Sequence, residues 1–465
     1  MEAHQGMLGC ERTGVRLISH QAAWADLFRQ EAGRLRAALG DQVVRIEHVG
    51  STSIPGVDAK PILDIVVAVR DMAEVAAFEQ ALIPLGYTHQ AEHDMAGRLY
   101  FVKRLPDNRS THHLNITELG TECWFTHVAF RDYLREHPEA RDEYRTLKLD
   151  LAHRHPRDRA AYQEGKGTFI RRILVRAGVS IAQQSDVVAV NGARLWTALQ
   201  GRGIPMVLCH GGPGGYDYLA PIAEMVDDEC LVLRYDQRGS GRSEAIPPYT
   251  VAAFVDDLEG LREHFGFDQW IVGGHSWGAG LALAYASQHP HRTRAVLYLS
   301  GTGIDPRWHD EYQANRLACL SEAERQEFQE LTRGVCGIAG DNRVQIQARR
   351  RELSRRTDVF DPAYVDNLPA FDEHPTSDEV NRLVGENWDV YMQAPAFRQA
   401  VSRLAMPALF IHGAADPRPA YLAKALADSL TDGRFELIPR AGHYPWVEQP
   451  TLVRAAVREF ATALT

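Results

Sequence analysis

The 465-residue chain lacks any apolar run of the about 18–20 residues that a membrane-spanning helix needs. Its opening, Met1-Glu-Ala-His-Gln-Gly6, has neither the basic nor the apolar stretch of a secretory signal. Cysteine is scarce. The six are Cys10, Cys123, Cys209, Cys230, Cys319 and Cys336, none paired as C-x-x-C and none grouped with histidine at zinc-finger spacing. That argues against a disulfide scaffold and a structural zinc site. Free thiols in a reducing, cytoplasmic setting are expected. Positive charge is also in deficit: 51 Lys and Arg face 61 Asp and Glu, for a net charge of −10. Neither nucleic acid nor an anionic membrane is therefore an expected partner.

What is present is ordinary globular material, with 45% hydrophobic and 24% charged residues. The length calls for more than one domain. Residues 15–176 carry one strong strand signal, Ile62–Val69, and a polar helical tail from Arg131 through Ile170. The small, polar segment Arg176–Asp186 reads as a linker. The expected domains are 1–180 and 186–465.

From Val187 onward, short apolar strands alternate with glycine-marked turns and amphipathic helices. Strands are expected at Pro205–Cys209, Cys230–Tyr235, Trp270–Gly273, Ala295–Leu299, Pro407–Ile411 and Phe435–Ile438, with a helix over 251–265. This rhythm predicts a mostly parallel sheet covered on both faces. Residues 303–402 break it with charged helical sequence, as an inserted cap would.

Gly274-His-Ser-Trp-Gly278 matches G-x-S-x-G and stands between a predicted strand and a predicted helix. A sharp turn there would expose Ser276 as a nucleophile. A serine needs a base, and His443 lies in the loop after the last predicted strand. Asp416 lies beyond the end of another and would orient the imidazole. The order Ser276, Asp416, His443 is that of α/β-hydrolases. The expected oxyanion donors are the N–H groups of Trp277 and Gly212, with Gly211 beside the substrate. The His210-Gly-Gly-Pro-Gly214 loop lacks the Lys-Ser/Thr ending of a phosphate-binding P-loop.

Taken together, His210-Gly-Gly-Pro-Gly214, Asp236-Gln-Arg-Gly-Ser-Gly-Arg-Ser243 and Gly274-His-Ser-Trp-Gly-Ala279 resemble the proline iminopeptidase family. The resemblance implies removal of an amino-terminal residue from a short peptide, without a cofactor. It also implies acidic cap residues that hold the free α-amine, for which Glu311 and Glu386 are the candidates. The same core serves esterases, lactonases and amidases, so small-molecule substrates stay open.

The first half has its own pattern. Ile46-Glu-His-Val-Gly-Ser-Thr-Ser-Ile-Pro-Gly56 and Ala59-Lys-Pro-Ile-Leu-Asp-Ile65 are followed by Phe130–Arg135, Tyr144 with Lys148, and Tyr162-Gln-Glu-Gly-Lys166. Together these resemble the GrpB family, which implies a smaller α+β domain of nucleotidyltransferase-like fold ahead of the α/β-hydrolase. Nucleotidyl transfer needs a Gly-Ser pair for the triphosphate and two or three carboxylates for divalent metal. Gly50, Ser51 and Asp64 fit, but the second carboxylate position holds Val66 and the third offers Asn115. One carboxylate makes a poor magnesium site, so no metal is expected. Active transfer, binding of a nucleotide or other phosphate ligand, and a purely structural role stay open. Lys60, Lys103, Arg104, His112 and His113 are the basic residues expected around such a ligand.

Overall fold

The computed structural model describes residues 7–464, apart from 12–13, 73–74, 96, 180, 335–340 and 370–375. Cys336 lies outside the described residues. The other five cysteines are free thiols. No helix among the described residues is long and apolar enough to cross a membrane. The chain divides into two compact units, Met1–Val179 and Ser180–Thr465.

The first unit is α+β. Its strands β1 (Val43–Val49), β2 (Leu63–Val69), β3 (Tyr87–His89), β4 (Arg98–Arg104) and β5 (Ser110–Glu118) form one mixed sheet in the order β1-β2-β5-β4-β3. The sheet is decided by period-two alternation. Leu63, Ile65, Val67 and Val69 pack on one face with Trp24 and Leu35 of the helix Ala23–Leu39. Asp64, Val66 and Ala68 point the other way, where Val66 and Ala68 meet Trp124 of the helix Glu122–Glu136. The remaining sequence after β5 folds as the helices Pro138–Arg154, Arg159–Glu164 and Gly167–Arg176. Tyr144, Phe169 and Ile173 of these helices join Phe130 and Leu134 in a separate apolar cluster.

The second unit has an eight-stranded sheet: β6 (Ile181–Val190), β7 (Ala193–Gly201), β8 (Ile204–Cys209), β9 (Cys230–Tyr235), β10 (Trp270–His275), β11 (Thr293–Leu299), β12 (Ala408–Gly413) and β13 (Gly433–Ile438). The order is β13-β12-β11-β10-β8-β9-β7-β6. Six strands pair in parallel, and β6 and β7 are added antiparallel at one edge. One face packs Met206, Leu208, Ile271, Leu297 and Leu409 against the helices Ala220–Val226 and Pro450–Thr462. The helix Trp277–Gln288 is buried over ten consecutive residues, which is why it reads as apolar all round.

Two boundaries differ from the sequence expectation. Strand β6 begins at Ile181, inside the segment read as linker. Its Gln183, Ser185 and Asp186 are solvent-facing on an edge strand, so polarity there marks an edge and not a loop. The first unit also holds β1, β3 and β4, which no apolar run in the sequence marks as clearly as Ile62–Val69 marks β2. Between 303 and 402 the described residues form helices and a 3-10 turn, with no strand. They comprise Trp308–Ala318, Glu322–Gly334, Asp341–Arg356, Pro362–Asn367, Asp378–Tyr391 and Pro395–Val401.

Candidate active site

Ser276 sits between β10 and the helix Trp277–Gln288 at φ 56° and ψ −119°. This left-handed backbone is costly for a residue with a side chain and is held by its surroundings. The turn closes only because its flanks are glycine. A Cβ on Gly274 would stand 2.7 Å from the Ala279 nitrogen. One on Gly278 would stand 2.6 Å from both the Cys209 carbonyl carbon and the His210 oxygen.

Asp416 and His443 follow β12 and β13, and His443 Nδ1 lies 2.7 Å from Asp416 Oδ2. Both residues are buried. Asp416 Oδ1 accepts from the Arg418 backbone N–H at 2.9 Å, and the Arg418 guanidinium stands 3.3 Å away. Burial alone would raise the Asp416 carboxyl, but His443 and Arg418 outweigh it and hold it well below the usual range. An ionised Asp416 therefore keeps a proton on His443 Nδ1 and leaves Nε2 as the basic nitrogen.

A second network fastens the three loops to each other. The Gly211 N–H donates to the Tyr218 hydroxyl at 2.8 Å, and that hydroxyl lies 2.6 Å from His275 Nδ1. His275 Nε2 lies 2.9 Å from the His443 carbonyl. Burial pushes His275 well below its ordinary value, so it is neutral and its Nε2–H donates to that carbonyl. The rings of His275 and His443 stand 4.5 Å apart. Asp358, just after the cap helix Asp341–Arg356, accepts from the His443 backbone N–H through its carbonyl at 2.8 Å, and its carboxylate pairs with Arg418 at 2.5 Å.

The glycine loop lies against the nucleophile: a Cβ on Gly211 would come within 2.9 Å of the Ser276 Cβ. Gly212 has φ 56° and an open Cβ direction, leaving room above it. The cap helix Asp378–Tyr391 holds this loop, with the Ser377 N–H on the Gly214 carbonyl at 2.8 Å and Asn381 Nδ2 on the Pro213 carbonyl at 2.9 Å. Trp388 of that helix meets the Trp277 ring edge-on at 5.4 Å. Asp236 braces its turn by accepting from the backbone N–H groups of Asp217 and Arg242.

The two cap carboxylates expected to bind an amine do not turn toward this centre. Glu386 pairs with Arg382 one helical turn away, with 63% of its side chain exposed. Glu311 accepts from the Tyr421 hydroxyl at an exposed position. Helical periodicity explains Glu386, since Val380, Val384 and Trp388 take the inward face of the helix that carries it. Tyr218, His275, Arg418 and Asp358 were not singled out from sequence. Only His275 had a signal, as the x of G-x-S-x-G.

In the first unit, Gly50, Ser51 and Asp64 line a cavity of about 900 Å³. Gly50 has φ 66°, and a Cβ there would strike the Asp64 side chain at 2.8 Å. Asp64 Oδ1 lies 3.0 Å from His113 Nδ1. Burial would raise the carboxyl, but His113, Lys60 and His127 reverse this and lower it. On the adjoining strand Asn115 stands opposite Val66, so neither of these two neighbouring positions adds a carboxylate beside Asp64. Of the basic residues expected there, Lys60, Arg104 and His113 line the cavity. Lys103 instead binds Glu31 at 2.7 Å, and His112 packs against Tyr87 on the opposite sheet face. Lys148, Lys166, Tyr144 and Tyr162, which carry the resemblance further along the chain, converge on the same cavity.

A parallel sheet whose strand ends present a serine at a strained elbow, a buried His–Asp pair and a glycine loop defines the second unit as an α/β-hydrolase. Residues 204–450 match the alpha/beta hydrolase fold family, and residues 14–176 match the GrpB protein family. The chain belongs to the α/β-hydrolase fold family, with an amino-terminal unit of the GrpB family. The Glutamate-rich protein GrpB of Alkalihalophilus pseudofirmus is 37% identical over 171 residues, covering 36% of this chain and 98% of that protein. UPF0157 protein YqkA of Bacillus subtilis is 40% identical over 157 residues, 34% of this chain, and the chain spans 45% of its length. The second unit is similar to a proline iminopeptidase of Clostridioides difficile, 25% identical over 256 residues, 53% of this chain and 85% of that protein.

Proposed function

We propose that the second unit is a serine hydrolase that cleaves an amide or ester through an acyl-enzyme, and that its substrates are those of a proline iminopeptidase-like aminopeptidase. The observation that carries this reading is that Ser276, at φ 56° on its elbow after β10, and the buried His443–Asp416 pair, after β13 and β12, all follow the carboxyl ends of parallel strands of one sheet. In this reading His443 Nε2 takes the Ser276 proton as Oγ attacks the carbonyl. The N–H groups of Trp277 and Gly212 receive the oxyanion. His443 then returns the proton to the leaving group, and water repeats the cycle on the acyl-enzyme.

A fluorophosphonate should label the wild type and leave Ser276→Ala unlabelled. Labelling of the alanine variant would refute the assignment. A second reading, an esterase or lactonase, is favoured by one observation: Glu386 and Glu311 are engaged at exposed positions and do not present a carboxylate to an α-amine. Prolyl and other aminoacyl-naphthylamides assayed beside simple acyl esters separate the two. Turnover restricted to esters would reject the aminopeptidase.

A further inference from the structure

We propose that the cavity of the amino-terminal unit binds the di- or triphosphate group of a small molecule without a divalent cation, with Lys60, Lys148 and Lys166 supplying the countercharge. The three lysines come from the turn before β2, from the helix Pro138–Arg154 and from the turn before the helix Gly167–Arg176, yet all line one cavity. Lys148 and Lys166 are buried. The Lys60 ammonium is buried with no hydrogen-bond partner among the described residues. Lys60 and Lys166 stand against the same Tyr162 ring, at 5.5 and 4.6 Å from its centre. Lys148 lies 5.2 Å from the Tyr144 ring centre and donates to the Asp58 carbonyl at 2.5 Å, leaving further N–H donors on its ammonium.

Buried cations are tolerated when paired, and this group is not paired. The lining carboxylate nearest to them is Asp64, which already accepts from His113. Burial, with repulsion from Arg159, pushes Lys60 down to about 8; burial, with repulsion from Lys60, pushes Lys166 to about 7; burial, with repulsion from Lys166 and Lys60, pushes Lys148 well below its ordinary value. A fold that gathers ammonium groups around empty space at this cost is shaped for a polyanion. Gly50 and Ser51 add a tight turn that lets such a group approach the backbone. The volume suits a nucleotide-sized ligand, and Tyr100 and Phe130 offer apolar surface for its organic part.

Divalent metal is not part of the proposal. Val66 and Asn115 occupy the positions where further carboxylates would complete a metal site on this face. Among the described residues, no group of three His, Cys, Asp or Glu side chains is arranged to hold a metal ion. The lysines take over the neutralisation that magnesium supplies elsewhere, which favours binding over phosphoryl transfer.

The test is calorimetric titration of the full chain, in EDTA, with inorganic tripolyphosphate, pyrophosphate, ATP and citrate. Tripolyphosphate and ATP should bind at one site per chain, and citrate at least about tenfold more weakly. Tighter binding of ATP identifies a nucleotide as the source of the phosphates, and tighter binding of tripolyphosphate identifies a free polyphosphate. Lys60→Gln and Lys166→Gln should each weaken binding at least about tenfold while fluorophosphonate labelling stays at the wild-type level. In the ligand-free protein, Lys166→Met should raise the melting temperature of this unit, where a lysine serving the fold would lower it. Absence of binding by every polyphosphate, binding only with Mg²⁺, or lysine variants that bind like wild type would each overturn the proposal.

Discussion

Replacing Tyr218 by phenylalanine tests whether the second network is a working part of the hydrolase centre. The change removes one oxygen and little volume. It deprives the buried Gly211 N–H of its acceptor and leaves His275 Nδ1 without its 2.6 Å partner. Each buried polar group left unsatisfied costs roughly 1–3 kcal/mol, so about 2–6 kcal/mol of stability should be lost. Trp446 meets the His275 ring edge-on at 4.7 Å, so tryptophan fluorescence in a urea titration reports on this site. The midpoint should fall with little change in slope. Kinetics should move as well, because Gly211 adjoins both Ser276 and the proposed oxyanion donor Gly212. A drop in kcat of about tenfold, or about 1.4 kcal/mol in the transition state, with KM nearly unchanged is the expected pattern. A variant with wild-type midpoint and kcat would refute the network. A lower midpoint with unchanged kcat would confine Tyr218 to the fold.

Gly278→Ala should cost about 3 kcal/mol, the upper end of overpacking, because its Cβ would meet backbone atoms at 2.6 Å. Gly212→Ala should cost only about 1–2 kcal/mol, since its Cβ meets open space and the penalty is its positive φ alone. Urea midpoints of the two variants should rank in that order, and the reverse order would contradict the described elbow. Stability should fall as the pH drops below about 6.5, the ordinary histidine value. Burial holds His210, His275 and His412 below that value and lowers His48 and His112 to about 4, so the unfolded chain takes up protons that the folded chain refuses. For His48 and His112 the window runs from about 6.5 to about 4, with each losing roughly 1.4 kcal/mol per pH unit. His89 opposes this: burial would lower it, but Glu79 and Asp94 raise it, one group against several. The lowered carboxyls Asp64 and Asp416 titrate below their ordinary value near 4 and do not offset the loss. Denaturation midpoints that stay level between pH 7.5 and 5 would contradict the neutral histidines.

The hydrolase sheet was legible because its strands are buried on both faces and read as continuous apolar runs between glycine turns. The candidate residues Ser276, Asp416 and His443 were legible because each follows such a run, and the chain order of the three is itself a signal. Strands β1, β3 and β4 were not. Val43–Val49 carries Arg45, Glu47 and His48, and in Arg98–Arg104 the apolar stretch is only Leu99–Val102 between basic ends, so neither stands out as Leu63–Val69 does. The edge strand β6 was hidden for the same reason.

Short-range chemistry thus decided the elements that depend on local geometry: the elbow around Ser276, with its obligatory glycines, and the Gly50-Ser51 turn. Which side chains meet across long separations was decided only by the tertiary structure. Tyr218 is linked to His275, His443 to Asp358, and Lys60, Lys148 and Lys166 share one cavity. The orientation of the cap carboxylates belongs to the same class, since Glu386 lies on the solvent side of its helix once Val384 and Trp388 pack inward. A sequence reports periodicity and turn chemistry along one dimension. Packing chooses which face is inside, and that choice determines which charges are left to meet a ligand.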